Sequence, residues 1–189
     1  MNDAWISQEL LGVADGFRAL AAMADRISPI AAACVAALKA GHKVMFCGNG
    51  GSAADSQHLA AELVGRYKLE RPAMKSLALT TDTSILTAIG NDYGYDDVFR
   101  RQVEGLGEAG DVLIGLSTSG NSKNVLLAFE QAARMGITTV AFTGAGGGRM
   151  KEAADFALPV PATVTNHIQE MHITCGHLLC EIIEHELHG

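Results

Sequence analysis

Beyond residue 41 the chain alternates short apolar runs with stretches of helical periodicity. The runs are Val44–Cys47, Leu77–Leu79, Val112–Leu116, Thr139–Phe142 and Phe156–Leu158. Helices are expected to begin near Ser52, Thr83, Asn121 and Gly148. A last helix from about Asn166 to His188 carries Ile173, Leu178, Leu179, Ile182 and Ile183. Runs that are apolar throughout belong to strands buried on both faces, and intervening helices supply the crossovers that parallel strands need. The pattern predicts an α/β fold, a parallel sheet covered by helices on both faces. Residues 5–40 read as helical, with Leu10, Leu11, Phe17, Leu20, Ile30, Cys34 and Leu38 at helical spacing, a break near Ser28-Pro29 and a stop at Gly41. With no linker, internal repeat or low-complexity segment, residues 1–189 read as one domain and 1–40 as its helical extension.

In such sheets ligands bind at the carboxyl ends of the strands, and two loops there carry chemistry. The first, Gly48-Asn49-Gly50-Gly51-Ser52, follows the Val44 strand and opens a helix. Glycines let backbone approach a ligand, and the free N–H groups of a helix start attract anions. The second, Ser117-Thr118-Ser119-Gly120-Asn121-Ser122, follows the Val112 strand and offers hydroxyl donors to a phosphate. Lys123 is the one basic residue near it, so neutral donors and the helix dipole would hold the anion. Neither loop matches the ATP-binding GxxxxGK[ST] pattern or the dinucleotide-binding GxGxxG pattern. The Gly144–Gly148 run reads as a plain turn or a flexible loop. On the helix after the first loop, His58 and Glu62 are four residues apart and share a face. Alone they would read as a solvated pair, but the apolar Leu59-Ala60-Ala61 between them implies partial burial. On the last helix Gln169 and His177 lie about 80° apart around the axis and can share a broad face. His172, His185 and His188 read as surface or packing residues, and Glu181 and Glu184 as a solvated face.

The net charge of −7 disfavours a nucleic-acid surface. No run of 18 apolar residues exists, so no membrane-spanning helix is expected. The first residues lack the basic and apolar segments of a signal peptide. Cys34, Cys47, Cys175 and Cys180 show no zinc-finger or CxxC spacing, so they read as reduced thiols of a cytoplasmic protein.

The segments GNGGSAADSQHLAAELVGRY, LALTTDTSILTAIGNDYGYDDVFRRQV, GDVLIGLSTSGNSKNV and HIQEMHITCGH resemble the phosphoheptose isomerase family of the sugar-isomerase (SIS) superfamily over nearly the whole chain. The resemblance implies a three-layer SIS fold with a five-stranded parallel sheet. It also implies a homotetramer with active sites at subunit interfaces, and isomerisation of a ketoheptose phosphate through an enediol. It places substrate contacts on Asn49, Gly50, Gly51, Ser52, Asn91, Asp92, Ser117, Thr118, Ser119, Ser122 and Gln169. Zinc ligands fall on His58, Glu62, Gln169 and His177, and the acid/base pair on Glu62 and His177. One position departs from the family: His167 stands where Arg or Lys is frequent. Two other functions compete with catalysis. A non-catalytic SIS scaffold binding the replication initiator DnaA would have no need of Glu62, Gln169 and His177. A sugar-phosphate-sensing regulator would need a basic recognition helix that the first 40 residues lack.

Overall fold

The computed structural model describes residues 2–189. Asn2 opens the first helix, its side-chain oxygen accepting the N–H of Trp5 at 3.1 Å. The elements follow as α1 (Asp3–Ala21), α2 (Ala24–Lys39), β1 (Val44–Gly48), α3 (Gly51–Val64), β2 (Ser76–Ala78), α4 (Thr83–Asp92), α5 (Arg100–Leu106), β3 (Val112–Ser117), α6 (Lys123–Arg134), β4 (Thr138–Thr143), α7 (Gly148–Ala153), β5 (Phe156–Pro159) and α8 (Thr165–His188). Five parallel strands pair in the order β2-β1-β3-β4-β5. The chain steps outward from β1 to β2, then returns to lay β3 on the other side of β1. The carboxyl ends of β1 and β3 therefore flank the point where strand order reverses, and Gly48 stands in register with Leu116 there.

Each strand splits its apolar residues between two cores, as the period of two requires. Val44 and Phe46 of β1 join Ile114 and Leu116 of β3 under α2, α3 and α8, in a cluster that includes Cys34, Leu59, Leu63, Cys175 and Leu179. Met45, Cys47 and Leu113 face the other way, onto Phe99, Val103, Val125 and Phe129 of α5, α6 and the segment before α5. The result is a three-layer sandwich.

The break in the N-terminal helices falls at Ala22-Met23, and Pro29 lies inside α2. Pro29 lies past the first turn of α2, so it gives up the bond to the Asp25 carbonyl and crowds that group, at a cost of about 3 kcal/mol. Burial of Ile27, Ile30, Ala31, Cys34 and Val35 along the same helix offsets that loss. The sequence reading did not place α5 or the short 3-10 turn at Tyr95–Asp97 before it. Glu184 does not lie on a solvated face. It is fully buried, accepts the backbone N–H groups of Tyr67, Lys68 and Leu69 at 2.7–3.0 Å, and pairs with the Arg71 guanidinium at 2.9 Å. Glu181, one turn earlier, meets Lys68 at 2.7 Å nearer the surface. His172 is a packing residue, buried against Phe142 with ring centroids 5.6 Å apart, and burial brings its pKa down to about 4. Among the described residues no single helix is long and apolar enough to cross a membrane; α1 and α2 reach that only jointly, across a 67° bend.

Candidate active site

The first loop turns at Gly50, whose φ of +56° is natural only to glycine. Gly51 follows at the start of α3, and there the reason is space. A Cβ on Gly51 would lie 2.5 Å from Nε2 of Gln169, because α8 brings that amide directly over the loop. The Asn49 side chain is held from within the protein. It donates to Asn124 at 3.0 Å, and its oxygen accepts from Asn124 at 2.8 Å and from the Tyr95 hydroxyl at 3.2 Å. This amide pair stitches the first loop to the start of α6. Asn124 and Tyr95 were not anticipated, since nothing in their local sequence marks a partner 75 or 46 residues away. Ser52 is buried and donates its N–H to the Asn49 carbonyl at 3.1 Å.

The second loop gathers its hydroxyls. Ser117 and Ser122 lie 2.8 Å apart, Ser117 and Ser119 3.4 Å apart, and the Asn121 N–H donates to Ser119 at 3.1 Å. The N-cap residue of α6, Ser122, makes no side-chain capping bond, and in the first turn the Val125 N–H donates to the Asn124 side chain at 3.0 Å. Lys123 is paired with Asp96 at 2.6 Å, which leaves neutral donors in the loop. The Gly144–Gly148 run is a turn, closed by the Gly147 N–H on the Gly144 carbonyl at 2.9 Å, and the segment around it also braces this cradle. Gly144 N–H donates to the Thr118 carbonyl at 3.2 Å, Met150 N–H to Gly120 at 2.9 Å and Arg149 N–H to the Asn121 side chain at 3.1 Å.

Two turns along α3 a second centre forms. His58 and His177 meet Nε2 to Nε2 at 2.8 Å, and His58 lies 3.3 Å from the Glu62 carboxylate. Donor atoms of all three lie within 4.8 Å of one another. Two imidazoles and a carboxylate are the donor set of a three-ligand catalytic metal site. Grouped this closely, the three donors could surround one ion. The residues therefore fit a divalent ion. His177 has its pKa lowered, first by partial burial and then by neighbouring His58, against the opposing pull of Glu62. Asp55, one turn before His58 on the same face, has its carboxyl raised by burial despite the attraction of His58; its Oδ2 is buried without a partner. Its spacing of three from His58 was a visible signal.

Among the expected residues, His58, Glu62 and His177 converge, and Asn49–Ser52 and Ser117–Ser122 form adjoining loops. Gln169 stands over Gly51, eight residues or about 12 Å along α8 from His177, and so belongs with the first loop in this chain. Asn91 donates to Asp92 at 2.7 Å on the exposed end of α4.

A SIS domain profile matches residues 13–144. The chain is 66% identical over 185 residues to the phosphoheptose isomerase of Akkermansia muciniphila, covering 98% of each chain. It is 59% identical over 165 residues to that of Sulfurimonas denitrificans, covering 87% of this chain and 85% of that one. Its fold is similar to a phosphoheptose isomerase structure from Francisella tularensis, with TM-score 0.94 and 35% identity over 98% of this chain and 100% of that one. A second such structure, from Neisseria gonorrhoeae, gives TM-score 0.91 and 40% identity over 96% and 98%. With its sheet, its loops and its sequence all in agreement, the chain belongs to the phosphoheptose isomerase family of SIS-domain proteins.

Proposed function

We propose that this protein is an aldose–ketose isomerase that converts sedoheptulose 7-phosphate to D-glycero-D-manno-heptose 7-phosphate, opening the supply of nucleotide-activated heptose. The observation that carries this reading is the meeting of His58, Glu62 and His177 across α3 and α8, beside a hydroxyl-lined loop at the switch point of the sheet. Glu62 takes the proton from C1 and returns it at C2, while His177 exchanges the proton between the O1 and O2 oxygens. Positioned acid–base groups of this kind contribute about 10²–10⁴-fold. Ser117, Thr118, Ser119 and Ser122, with the α6 N-terminus, hold the phosphate. The Asn49–Ser52 loop and Gln169 orient the sugar chain, and Asn91 and Asp92 contact it from α4. Zinc would be held by His58, Glu62 and His177; Gln169, the family's fourth ligand, stands over Gly51 within one chain and would complete the set only from a neighbouring copy. When bound, the metal supplies polarisation of the carbonyl and of the developing enediolate.

The phosphate and the reacting carbons lie at opposite ends of this substrate, as the cradle and the His58 centre lie apart in one chain. A homotetramer with interfacial sites would let a neighbouring copy complete the constellation. Supporting it, α1 exposes Trp5, Ile6, Leu10 and Leu11, and α4 buries none of its residues although it carries Ile85, Leu86 and Ile89. Light scattering at micromolar concentration is expected to give four times the 19.8 kDa chain mass, and a stable monomer would contradict this assembly. We read residues 1–189 as one SIS domain, with 1–40 as its helical extension, and its four free, buried thiols as those of a cytoplasmic enzyme. Both the intact His58–Glu62–His177 group and the names of the relatives favour catalysis over a DnaA-binding scaffold.

The phosphate assignment is tested by Ser119→Ala. Losing one hydroxyl from the cradle is expected to raise KM about tenfold, since a hydrogen bond to a charged group is worth about 1.5–3 kcal/mol. Unphosphorylated sedoheptulose binding the wild-type enzyme as well as its phosphate would refute the assignment.

A further inference from the structure

A histidine ring turns about a broad, roughly two-fold terminal torsion, so its direction is set by its neighbours. His177 has two. His58 meets it edge to face, with centroids 5.0 Å apart and planes at 71°. Tyr67 stacks on it nearly parallel, with centroids 5.5 Å apart and planes at 22°. Tyr67 is not on a helix, yet it is held firmly. Its backbone N–H donates to the buried Glu184 carboxylate at 3.0 Å, and the next two N–H groups do the same at 2.7 and 2.8 Å. Arg71 closes the turn. Its Nε donates to Glu184 at 2.9 Å, and its terminal nitrogens donate to the carbonyls of Glu62 at 2.9 Å and Leu63 at 3.0 Å, at the open end of α3. One guanidinium thus ties the helix bearing His58 and Glu62 to the helix bearing His177, and the segment between them carries Tyr67 onto the His177 ring.

We propose that Tyr67 is a positioning residue for His177, and that the buried Arg71–Glu184 pair holds Tyr67 in place. The inference rests on His177 exchanging a proton with the substrate. The ring face, and not the hydroxyl, does the positioning, because the stack is face to face. The backbone of the segment is secured through its N–H groups, so the Tyr67 side chain can be changed without releasing it.

The test compares Tyr67→Leu and Tyr67→Phe with wild type, using sedoheptulose 7-phosphate. Tyr67→Leu is expected to lower kcat by about tenfold or more with KM changed by less than about twofold, since misplacing a catalytic group by an ångström costs up to about 10²-fold. Tyr67→Phe is expected to restore kcat to within about twofold of wild type, with thermal midpoints of both variants close to it. An unchanged kcat in Tyr67→Leu overturns the proposal, as does a Tyr67→Phe variant impaired as badly as Tyr67→Leu. A readout independent of turnover is the proton NMR of the His177 ring. It is expected to show an upfield ring-current shift that survives in Tyr67→Phe and vanishes in Tyr67→Leu, and a shift unaltered in Tyr67→Leu overturns the proposal. A wild-type protein that fails to turn over the sugar phosphate would instead count against the isomerase reading, and the NMR comparison would still decide the role of Tyr67.

Discussion

Replacing Glu62 by Gln is expected to lower kcat by at least about 10²-fold while leaving the fold intact, because the amide keeps the shape of the side chain and loses its basicity. His177→Gln is expected to do the same. The two side chains come from helices 115 residues apart in sequence and reach the same point, with His58 between them. Groups that act on one proton path are strongly non-additive, so the double variant is expected to lose far less than the product of the single losses. Steady-state kinetics on the three proteins checks this. Near-normal turnover in both single variants would remove the catalytic assignment from Glu62 and His177.

Glu184→Ala is expected to destabilise the protein by about 3–5 kcal/mol, the usual cost of stripping one partner from a buried ion pair. Arg71 would stay buried without its counter-charge, its side chain only 1% exposed, and three backbone N–H groups would lose their acceptor. Urea unfolding at neutral pH measures this as a lower midpoint at unchanged slope. The pH dependence has a definite sign. Burial alone would push this carboxyl up, but the three N–H donors and Arg71 outweigh it and hold it at about 2, below the ordinary 4.5. Its contribution is complete above pH 4.5 and is lost as pH falls through 2, so the gap between wild type and Glu184→Ala narrows over that window. Removing both charges together, as Arg71→Met with Glu184→Leu, is expected to cost less than either single loss. A Glu184→Ala variant as stable as wild type at neutral pH would contradict the buried clasp.

The parts of this architecture that were legible in the sequence are those written in local periodicity. All five strands appear within a residue of their apolar runs, because a strand buried on both faces needs an uninterrupted apolar stretch. Both loops at the switch point were readable from glycine and hydroxyl clusters that end such runs. His58 and Glu62 were readable from the helical repeat. What was hidden depends on partners distant in the chain. Glu184 carries the same charge and the same helical spacing as a solvated glutamate, and only the return of residues 67–71 across α8 makes it a buried acceptor. Asn124 becomes part of the first loop through a reciprocal amide pair spanning 75 residues. Gln169 was grouped with His177 by rotation about the helix axis, but their separation along it leaves Gln169 over Gly51. Pro29 suggested a break, yet the surrounding burial of α2 carries the helix through it. The segment that forms α5 mixes Arg100, Arg101 and Glu104 with few apolar residues, so its burial of Gln102 and Val103 leaves little trace in the pattern.

The most direct test of proton transfer by this site is incubation of the wild-type protein with sedoheptulose 7-phosphate in D₂O, followed by NMR, with and without added zinc. The account predicts formation of the aldose heptose 7-phosphate, with deuterium entering at C2 as the enediol exchanges with solvent. It also predicts that neither product nor label forms at a comparable rate in the Glu62→Gln variant. No aldose from the wild-type protein under either condition, or undiminished conversion by Glu62→Gln, would contradict it.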